Sequence, residues 1–300
     1  DPLFSIFWNK ALHSAKADIL HLPFIFDVYY LSIPDNIKTV ITIYDLIPIL
    51  FPDEYFQNKK AEDWYRKRLS EVKKAAKIIT ISKSSKKDII KFLKIPEEKI
   101  KVIYGGVDES FKPVEKQKVS TPYALTISTH SFHKNISRIF QAFKDYISSG
   151  NNLNLVVVGK LIPQEEKDWR KELKILGIEK RVILTNFVPD EDLPSIYSGA
   201  EVFLFPSLYE GLGLPVLEAL SCGVPVITSN MSSLPEVGGD ACLYVDPENA
   251  GDIKNSLTAV LENENLRSKM IKKGFAQVKK FSWEKAARET LEVYEEVAKN

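Results

Sequence analysis

Short apolar runs alternate with longer amphipathic stretches along nearly the whole chain, and that alternation leaves few folds open. In the second half the runs fall at Tyr123–Ser128, Leu153–Val158, Arg181–Leu184, Val202–Phe205, Val224–Ile227 and Cys242–Val245. Between most of them the apolar spacing predicts helices over Asn135–Ser149, Gln164–Leu176, Leu193–Ser198 and Pro215–Ser221. Strands separated by helices pair in parallel, with helices covering both faces of the sheet. The expectation is an α/β protein built on parallel sheets.

The first half repeats the pattern with shorter elements. Strands are expected at Asp18–His21, Thr39–Tyr44, Lys77–Ile81 and Lys101–Tyr104, and helices near Leu3–Ser14, Ala61–Ala75 and Ser84–Leu93. The stretch from Tyr104 to Pro122 is rich in glycine, proline and charge, which marks it as the linker. The tail reads as helical, with Pro247 and Asn249 opening one helix and Ser282 capping a last one. Three segments follow: a first α/β domain over residues 1–112, a second over 113–281, and a C-terminal helix over 282–300. Ligands of open parallel sheets bind outside the carboxyl ends of the strands, so the loops after Ser128, Val158, Leu184 and Phe205 are the places to look.

Net charge is +1 over 300 residues, so no global field draws nucleic acid. The charge is uneven, however: residues 57–101 hold 15 Lys and Arg against 6 Asp and Glu. That stretch is mostly a solvated face. Its sharper reading is a contact with an anionic membrane or a lipid-linked phosphate acceptor. Cys222 and Cys242 lie in apolar runs without disulfide or metal spacing, which points to a reducing, cytoplasmic setting. No apolar run reaches the roughly 20 residues of a membrane span.

Between Gly211 and Pro235 there is one charged residue in 25, Glu218. A carboxylate in so apolar a segment needs partners. Upstream, Glu210 precedes Gly211 and Gly213, which let the backbone approach a ligand closely. Pro215 suits the first position of a helix, which leaves the amides of Gly211, Leu212, Gly213 and Leu214 at a helix N-terminus, where an anion such as a diphosphate is favoured. Glu218, one turn further, could accept bonds from two ribose hydroxyls; the alternative for the pair is a cap plus a structural glutamate.

Embedded as SLYEGLGLPVLEALSCGVPVI, the Glu210-x7-Glu218 spacing resembles the signature of the retaining family 4 glycosyltransferases of the GT-B fold. VIYGGVD at Val102–Asp108, HKNISRIFQAF at His133–Phe143, NFVPDEDLPSIYSGA at Asn186–Ala200 and YDLIPILFP at Tyr44–Pro52 resemble further segments of that family, in the same order. The resemblance implies two Rossmann-like domains facing across a cleft, with the nucleotide sugar held mainly by the second and the last helix crossing back to the first. It implies transfer of a sugar, with retention, from a nucleotide-diphospho-sugar to a hydroxyl acceptor, lipid-linked or a growing glycan, without cofactor or metal.

By the same resemblance, Glu210 contacts the donor sugar, the amides of Gly211–Leu214 hold sugar and diphosphate, and Glu218 binds ribose. Lys134 meets the donor phosphates and stabilises the departing diphosphate. Phe187 and Val188 pack the base and read it through the backbone, which leaves uracil, guanine and adenine open. Where the family often has Gly-Arg after the first strand of this domain, the chain has Ser128-Thr129, with Thr129 on the donor side. Tyr44 stands where a histidine is common and is a candidate for a pocket of the first domain; His21 is a second candidate for that pocket, but the favoured reading is a structural histidine whose ring is satisfied by neighbours. Asp190-Glu191-Asp192 matches a D-x-D metal pattern, but between Pro189 and Leu193-Pro194 these acids are expected to cap a helix start. His130 and His133 flank Lys134 without suitably spaced partners for a metal. Nothing before Asp18 supplies the strand, glycine-rich loop and helix that open the family's first domain. The first domain is therefore expected to be N-terminally incomplete; the alternative is a non-catalytic nucleotide-sugar-binding subunit that works with a partner.

Overall fold

The computed structural model describes residues 14, 16–24, 37–115, 121–129 and 131–299. The chain divides into two compact units, residues 1–105 with 283–300, and residues 106–282. The break at Gly105–Gly106 falls early in the breaker-rich segment, where neither residue carries a side chain to pack.

The first unit holds a parallel sheet in the order β1 (Ile19–Leu22), β2 (Lys38–Ile43), β3 (Lys77–Thr80), β4 (Ile100–Val102). The helix expected over Leu3–Ser14 lies, Ser14 apart, outside the described residues. Helix α1 (Lys59–Glu71) starts where the Asn58 side chain accepts the Ala61 amide at 3.0 Å. It stops four residues short of Ala75, giving way to a 3₁₀ turn at Val72–Lys74. Helix α2 (Lys83–Asp88) is capped by Ser82, and the helix expected to run unbroken to Leu93 widens to a π turn over Ile89–Leu93 before ending at left-handed Lys94. The core gathers Ile41, Ile43, Leu46, Leu69, Ile78, Ile89 and Ile100.

The C-terminal helix, Trp283–Lys299, belongs to this first unit. Val293 and Val297 are buried with Val40, Ile79 and Ile103 on the sheet face opposite that core. Lys77 pairs with Glu296 at 2.5 Å, and the Lys38 ammonium donates to the Ala298 carbonyl at 3.1 Å. The helix thereby covers apolar surface that β2 and β3 would otherwise expose.

The second unit carries six parallel strands: β5 (Tyr123–Ile127), β6 (Asn154–Val158), β7 (Val182–Leu184), β8 (Val202–Phe205), β9 (Val226–Ser229) and β10 (Leu243–Val245). Their order is β10-β9-β8-β5-β6-β7. β9 starts two residues later than the apolar run suggests. Gly223 turns the chain at a φ of +76°, and Pro225, lacking an N–H, accepts from Phe203 at 2.9 Å but cannot donate to the ladder. Helices α3 (Ile136–Ser148), α4 (Pro163–Leu176), α5 (Leu193–Ser198), α6 (Leu214–Ser221), α7 (Leu234–Gly238), α8 (Ala250–Glu262) and α9 (Glu264–Val278) cover the sheet. α3 buries Ile136, Ile139, Phe140, Ala142, Phe143 and Tyr146, a single apolar stripe. The helical tail is two helices here, because Asn263 accepts the Leu266 amide at 2.9 Å and starts a new one.

Strand β5 pairs with β6 on one side and β8 on the other, so the strand order reverses between β5 and β8. At such a switch point the loops leaving the two strands splay to opposite faces and open a crevice. The loop after β5 contains Thr129 and Lys134, and the loop after β8 contains Glu210–Gly213. No helix among the described residues is long and apolar enough to cross a membrane.

Candidate active site

The two loops at the switch point are stitched together by Asn135. It sits at φ +60°, a conformation asparagine tolerates better than most residues. Its side-chain amide donates to the carbonyls of Pro206 at 2.9 Å and Pro247 at 2.7 Å, and its own oxygen accepts from Arg138 at 3.0 Å. The Leu208 amide donates to the His133 carbonyl at 2.8 Å. Lys134, between these anchors, has little freedom.

Its ammonium donates to Glu210 Oε1 at 2.8 Å and lies 4.9 Å from the centre of the Phe205 ring. The side chains are 18% and 9% exposed, so this is a nearly buried ion pair beside an aromatic face. His133, buried next to it, has its pKa pushed down to about 4, first by desolvation, with Lys134 adding to the shift and Glu210 opposing it. It is therefore neutral at physiological pH.

The loop carrying Glu210 is held from behind by hydroxyls of β9 and the segment after it. The Glu210 amide donates to Ser232 Oγ at 2.9 Å, and the Ser233 hydroxyl is shared between the carbonyls of Glu210 and Leu212, 2.9 Å from each. Ser229 donates to Ser207 O at 2.6 Å and Thr228 to Phe205 O at 2.8 Å. Gly213 has φ +99°, and a Cβ there would come within 2.8 Å of Leu234, so both conformation and space require glycine. Helix α6 opens at Leu214 with Pro215 second, not first, and no side chain caps it. Pro215 carries no N–H and the Val216 amide donates to the Gly213 carbonyl at 2.9 Å, so the Leu214 amide is what the helix presents at its opening.

Glu218 lies one turn into α6. Its Oε2 accepts the phenol of fully buried Tyr197 at 2.7 Å. Burial raises its pKa, nearby Asp190 adds to that, and the Tyr197 bond opposes them.

Phe187 presents its ring to solvent, 68% exposed, at the rim of an open cavity of about 510 Å³ lined also by Lys160, Leu161, Glu166, Arg170 and Asn186. Val188, next to it, is half-buried. Thr129 is exposed, its hydroxyl 3.1 Å from that of Ser131. Beside it, Gly159 passes so close to Ser128 that a Cβ would overlap the Ser128 carbonyl.

In the first unit, Tyr44 is 43% exposed and lines a separate cavity of about 270 Å³ with Phe24, Thr42, Asp45 and Tyr65. His21 is not among the described lining residues. Its ring nitrogens bond Thr42 Oγ1 at 2.9 Å and the Tyr294 hydroxyl at 2.5 Å, so it supports the cavity from behind Thr42. Burial lowers its pKa.

Asp190, Glu191 and Asp192 form a 3₁₀ turn at the start of α5, but Asp192, in the cap position, makes no side-chain bond to the helix amides. The three acids do occupy the first turn at the helix start, where negative charge is favoured, but the side-chain cap is not made: the turn brings the Asp192 amide back onto the Pro189 carbonyl at 2.9 Å and leaves Asp192 itself helical and not extended. Among the described residues, no group of three His, Cys, Asp or Glu is placed to hold a metal ion. His130 lies outside the described residues.

Sequence reasoning passed over Asn135, Ser232, Ser233 and Tyr197. For the first three a signal existed: polar residues next to Lys134, and a cluster of hydroxyls in an otherwise apolar segment.

Comparisons with known proteins agree in direction. A family model described as glycosyl transferases group 1 matches residues 107–277, and one described as glycosyltransferase family 4 matches residues 1–111. The chain is 33% identical over 297 residues to the O-antigen chain mannosyltransferase B of Escherichia coli, covering 95% of this chain and 76% of that one. It is 30% identical over 282 residues to the serotype-specific mannosyltransferase WbdA of Escherichia coli, covering 89% of this chain but 35% of that longer protein. Among solved structures, Anabaena HepE in complex with UDP and glucose superposes with a TM-score of 0.81 at 18% identity, covering 96% of this chain and 81% of HepE. At that identity the likeness concerns the fold.

Proposed function

The chain belongs to the group 1 glycosyltransferases, and on that premise we propose that it transfers a sugar from a nucleotide-diphospho-sugar to a hydroxyl acceptor with retention at the anomeric carbon. The observation that carries this reading is the Lys134–Glu210 pair at the switch point, 2.8 Å apart. Glycosyl transfer from such a donor needs a cation where the leaving diphosphate gains charge and an acceptor where the sugar hydroxyls sit.

Lys134 supplies a compact positive charge that strengthens its hold as the diphosphate departs. The backbone of Gly211–Leu214, which leads into the start of α6, takes the remaining phosphate charge, with the helix dipole aligned to help. In this reading that role needs no metal. Glu210 accepts from the sugar hydroxyls, and Glu218 accepts from the ribose. The ring of Phe187 packs the base, whose edge is read by the Val188 backbone, and Thr129 borders the phosphates. Retention follows if the acceptor attacks from the face the diphosphate leaves, a departing phosphate oxygen taking its proton.

HepE is named with UDP and glucose, and of the Escherichia coli relatives one is named an O-antigen chain mannosyltransferase and the other a serotype-specific mannosyltransferase. These names favour a nucleoside diphosphate ligand, a hexose such as mannose, and a growing polysaccharide as acceptor. The first unit, with its cavity at Tyr44 and its basic segment 57–101, is the acceptor side in this reading. That segment, which carries Arg66, Lys67, Lys73 and Lys74, would rest on an anionic membrane bearing a lipid-linked acceptor.

A thermal-shift panel of UDP, GDP, ADP and dTDP tests the donor site, since a ligand bound only by the folded state raises its melting temperature. One nucleotide should shift the wild type saturably and shift Lys134→Ala much less. No shift with any of the four, or transfer at the wild-type rate in both Lys134→Ala and Glu210→Ala, would remove the reading.

A further inference from the structure

We propose that Tyr197 is the positioning residue for the ribose end of the donor site, its phenol fixing the Glu218 carboxylate so that one oxygen faces the ribose hydroxyls. This rests on the reading of Glu218 as the ribose acceptor.

Tyr197 is fully buried, and its ring is wedged edge-on against Phe203 of β8 at 5.4 Å and against Phe111 at 5.9 Å. A phenol so placed cannot turn, and a buried hydroxyl needs a partner. The partner is Glu218 Oε2 at 2.7 Å. Among the described residues Oε1 makes no hydrogen bond, and Glu218 is only half-buried. One oxygen is therefore held by protein and the other is left for a ligand.

The bond also bears on which form of Glu218 is present. Burial and Asp190 favour the neutral acid, whereas the Tyr197 hydroxyl favours the carboxylate. The titratable groups around Glu218 are Tyr197 from α5, Asp190 from the turn before α5, and Cys222, which follows α6. Asp190 and Cys222 bring no positive charge, so the Tyr197 hydroxyl is the group around Glu218 that favours its charged, accepting form. A carboxylate accepts from both ribose hydroxyls, whereas a protonated acid gives up one accepting oxygen to a donor.

The test compares the full chain with Tyr197→Phe, which keeps the ring and removes the hydroxyl, and with Glu218→Ala. Calorimetric affinities are measured from pH 5 to 8 for UDP, GDP and ADP and for the 2′-deoxy counterpart of each. The wild type should prefer the ribonucleotide by about tenfold or more. Tyr197→Phe should cut that preference severalfold while leaving deoxynucleotide affinity within about twofold, and should move the acid limb of ribonucleotide binding to higher pH. Replacing Tyr197 by 3,5-difluorotyrosine, a stronger donor of nearly the same shape, should move that limb to lower pH, and it also serves if Tyr197→Phe does not fold. Full preference and an unmoved limb in Tyr197→Phe, with preference lost in Glu218→Ala, would overturn the role of Tyr197 and leave the ribose reading standing. Equal losses for both nucleotides in Tyr197→Phe would make Tyr197 merely structural. Undiminished preference in Glu218→Ala would overturn the ribose reading itself, and the proposal with it.

Discussion

Glu210 and Glu218 sit eight residues apart on one loop and helix, and the protein answers their burial in opposite ways. Glu210 meets a cation, Lys134, carried by the loop on the far side of the switch point. Glu218 meets a neutral phenol from α5, the helix leading into the same strand that α6 follows. The difference teaches where charge can be brought from in a parallel sheet. At the mouth of the crevice two loops from different strands converge, so a cation can be delivered from elsewhere in the sequence. One turn into the helix, the groups around Glu218 are the Tyr197 phenol, Cys222 and Asp190, none of them a cation, so the carboxylate is met by an uncharged donor. On the proposed reading, the first end holds charge that changes during transfer, and the second holds a fixed acceptor.

The sharpest way to break this comparison is to remove the cation. Lys134→Ala should lower transfer by about 10²- to 10³-fold, the usual loss when a donor to developing negative charge is removed. It should also destabilise the fold, because Glu210 keeps its burial and loses its counter-ion. Adding Glu210→Gln to Lys134→Ala should restore part of that stability in urea unfolding, with a coupling energy of about 1–3 kcal/mol. Additive effects of the two substitutions would mean that the pair is not an energetic unit. At the other end, Glu218→Ala should weaken nucleotide binding by about ten- to a hundred-fold, or 1.5–3 kcal/mol, without a compensating partner substitution.

How much of this could be read from the sequence follows from the same contrast. The α/β class was legible because buried parallel strands and amphipathic helices leave different periods. The strand Val202–Phe205 and the helix Leu193–Ser198 fall where the apolar pattern places them. Strand order was not legible: that β5 lies next to β8 and not in sequence order is a long-range choice with no local mark. Lys134 and Glu210, 76 residues apart, meet only because of that choice, and the sequence brought them together only through resemblance to a family. Tyr197 was missed for a different reason. In Pro194-Ser-Ile-Tyr197 it reads as one more apolar position of a short helix, and its hydroxyl acquires meaning only once α5 and α6 are seen flanking β8. The D-x-D reading shows the converse, since three acids in a row look like a cap but the turn they form satisfies itself.

The two ends should also answer pH with opposite signs, which separates them in one experiment on stability. His133 is a base whose folded-state pKa lies at about 4, below its ordinary 6.5. Between those values the unfolded chain binds a proton that the native state refuses, so stability rises with pH across the window and is lost as pH falls from about 6.5 to 4. The full contribution is about 3 kcal/mol, an upper figure for a shift of that size. His133→Gln should flatten this slope in urea titrations at pH 4 and pH 7. An unchanged slope would mean that His133 is accessible to protons in the native state.

Glu218 should give a smaller effect of the reverse sign. Its carboxyl is an acid whose folded-state pKa is raised above 4.5 by burial, so within the window above 4.5 the native state binds the proton that the unfolded chain has lost. Its contribution to stability is complete below 4.5 and declines as pH rises through the folded value. Glu218→Gln removes the charge and keeps an oxygen for the Tyr197 hydroxyl. This variant should therefore be more stable than the wild type at pH 7, and the advantage should vanish below pH 4.5. Ribonucleotide affinity should move the other way, since an amide presents one accepting oxygen where the carboxylate presents two. A variant that gains stability while losing affinity would show the carboxylate to be kept for the ligand at the expense of the fold. A loss of stability at pH 7 would show instead that the Tyr197 bond outweighs the burial of the charge, and the contrast with Glu210 would narrow to the sign of the partner.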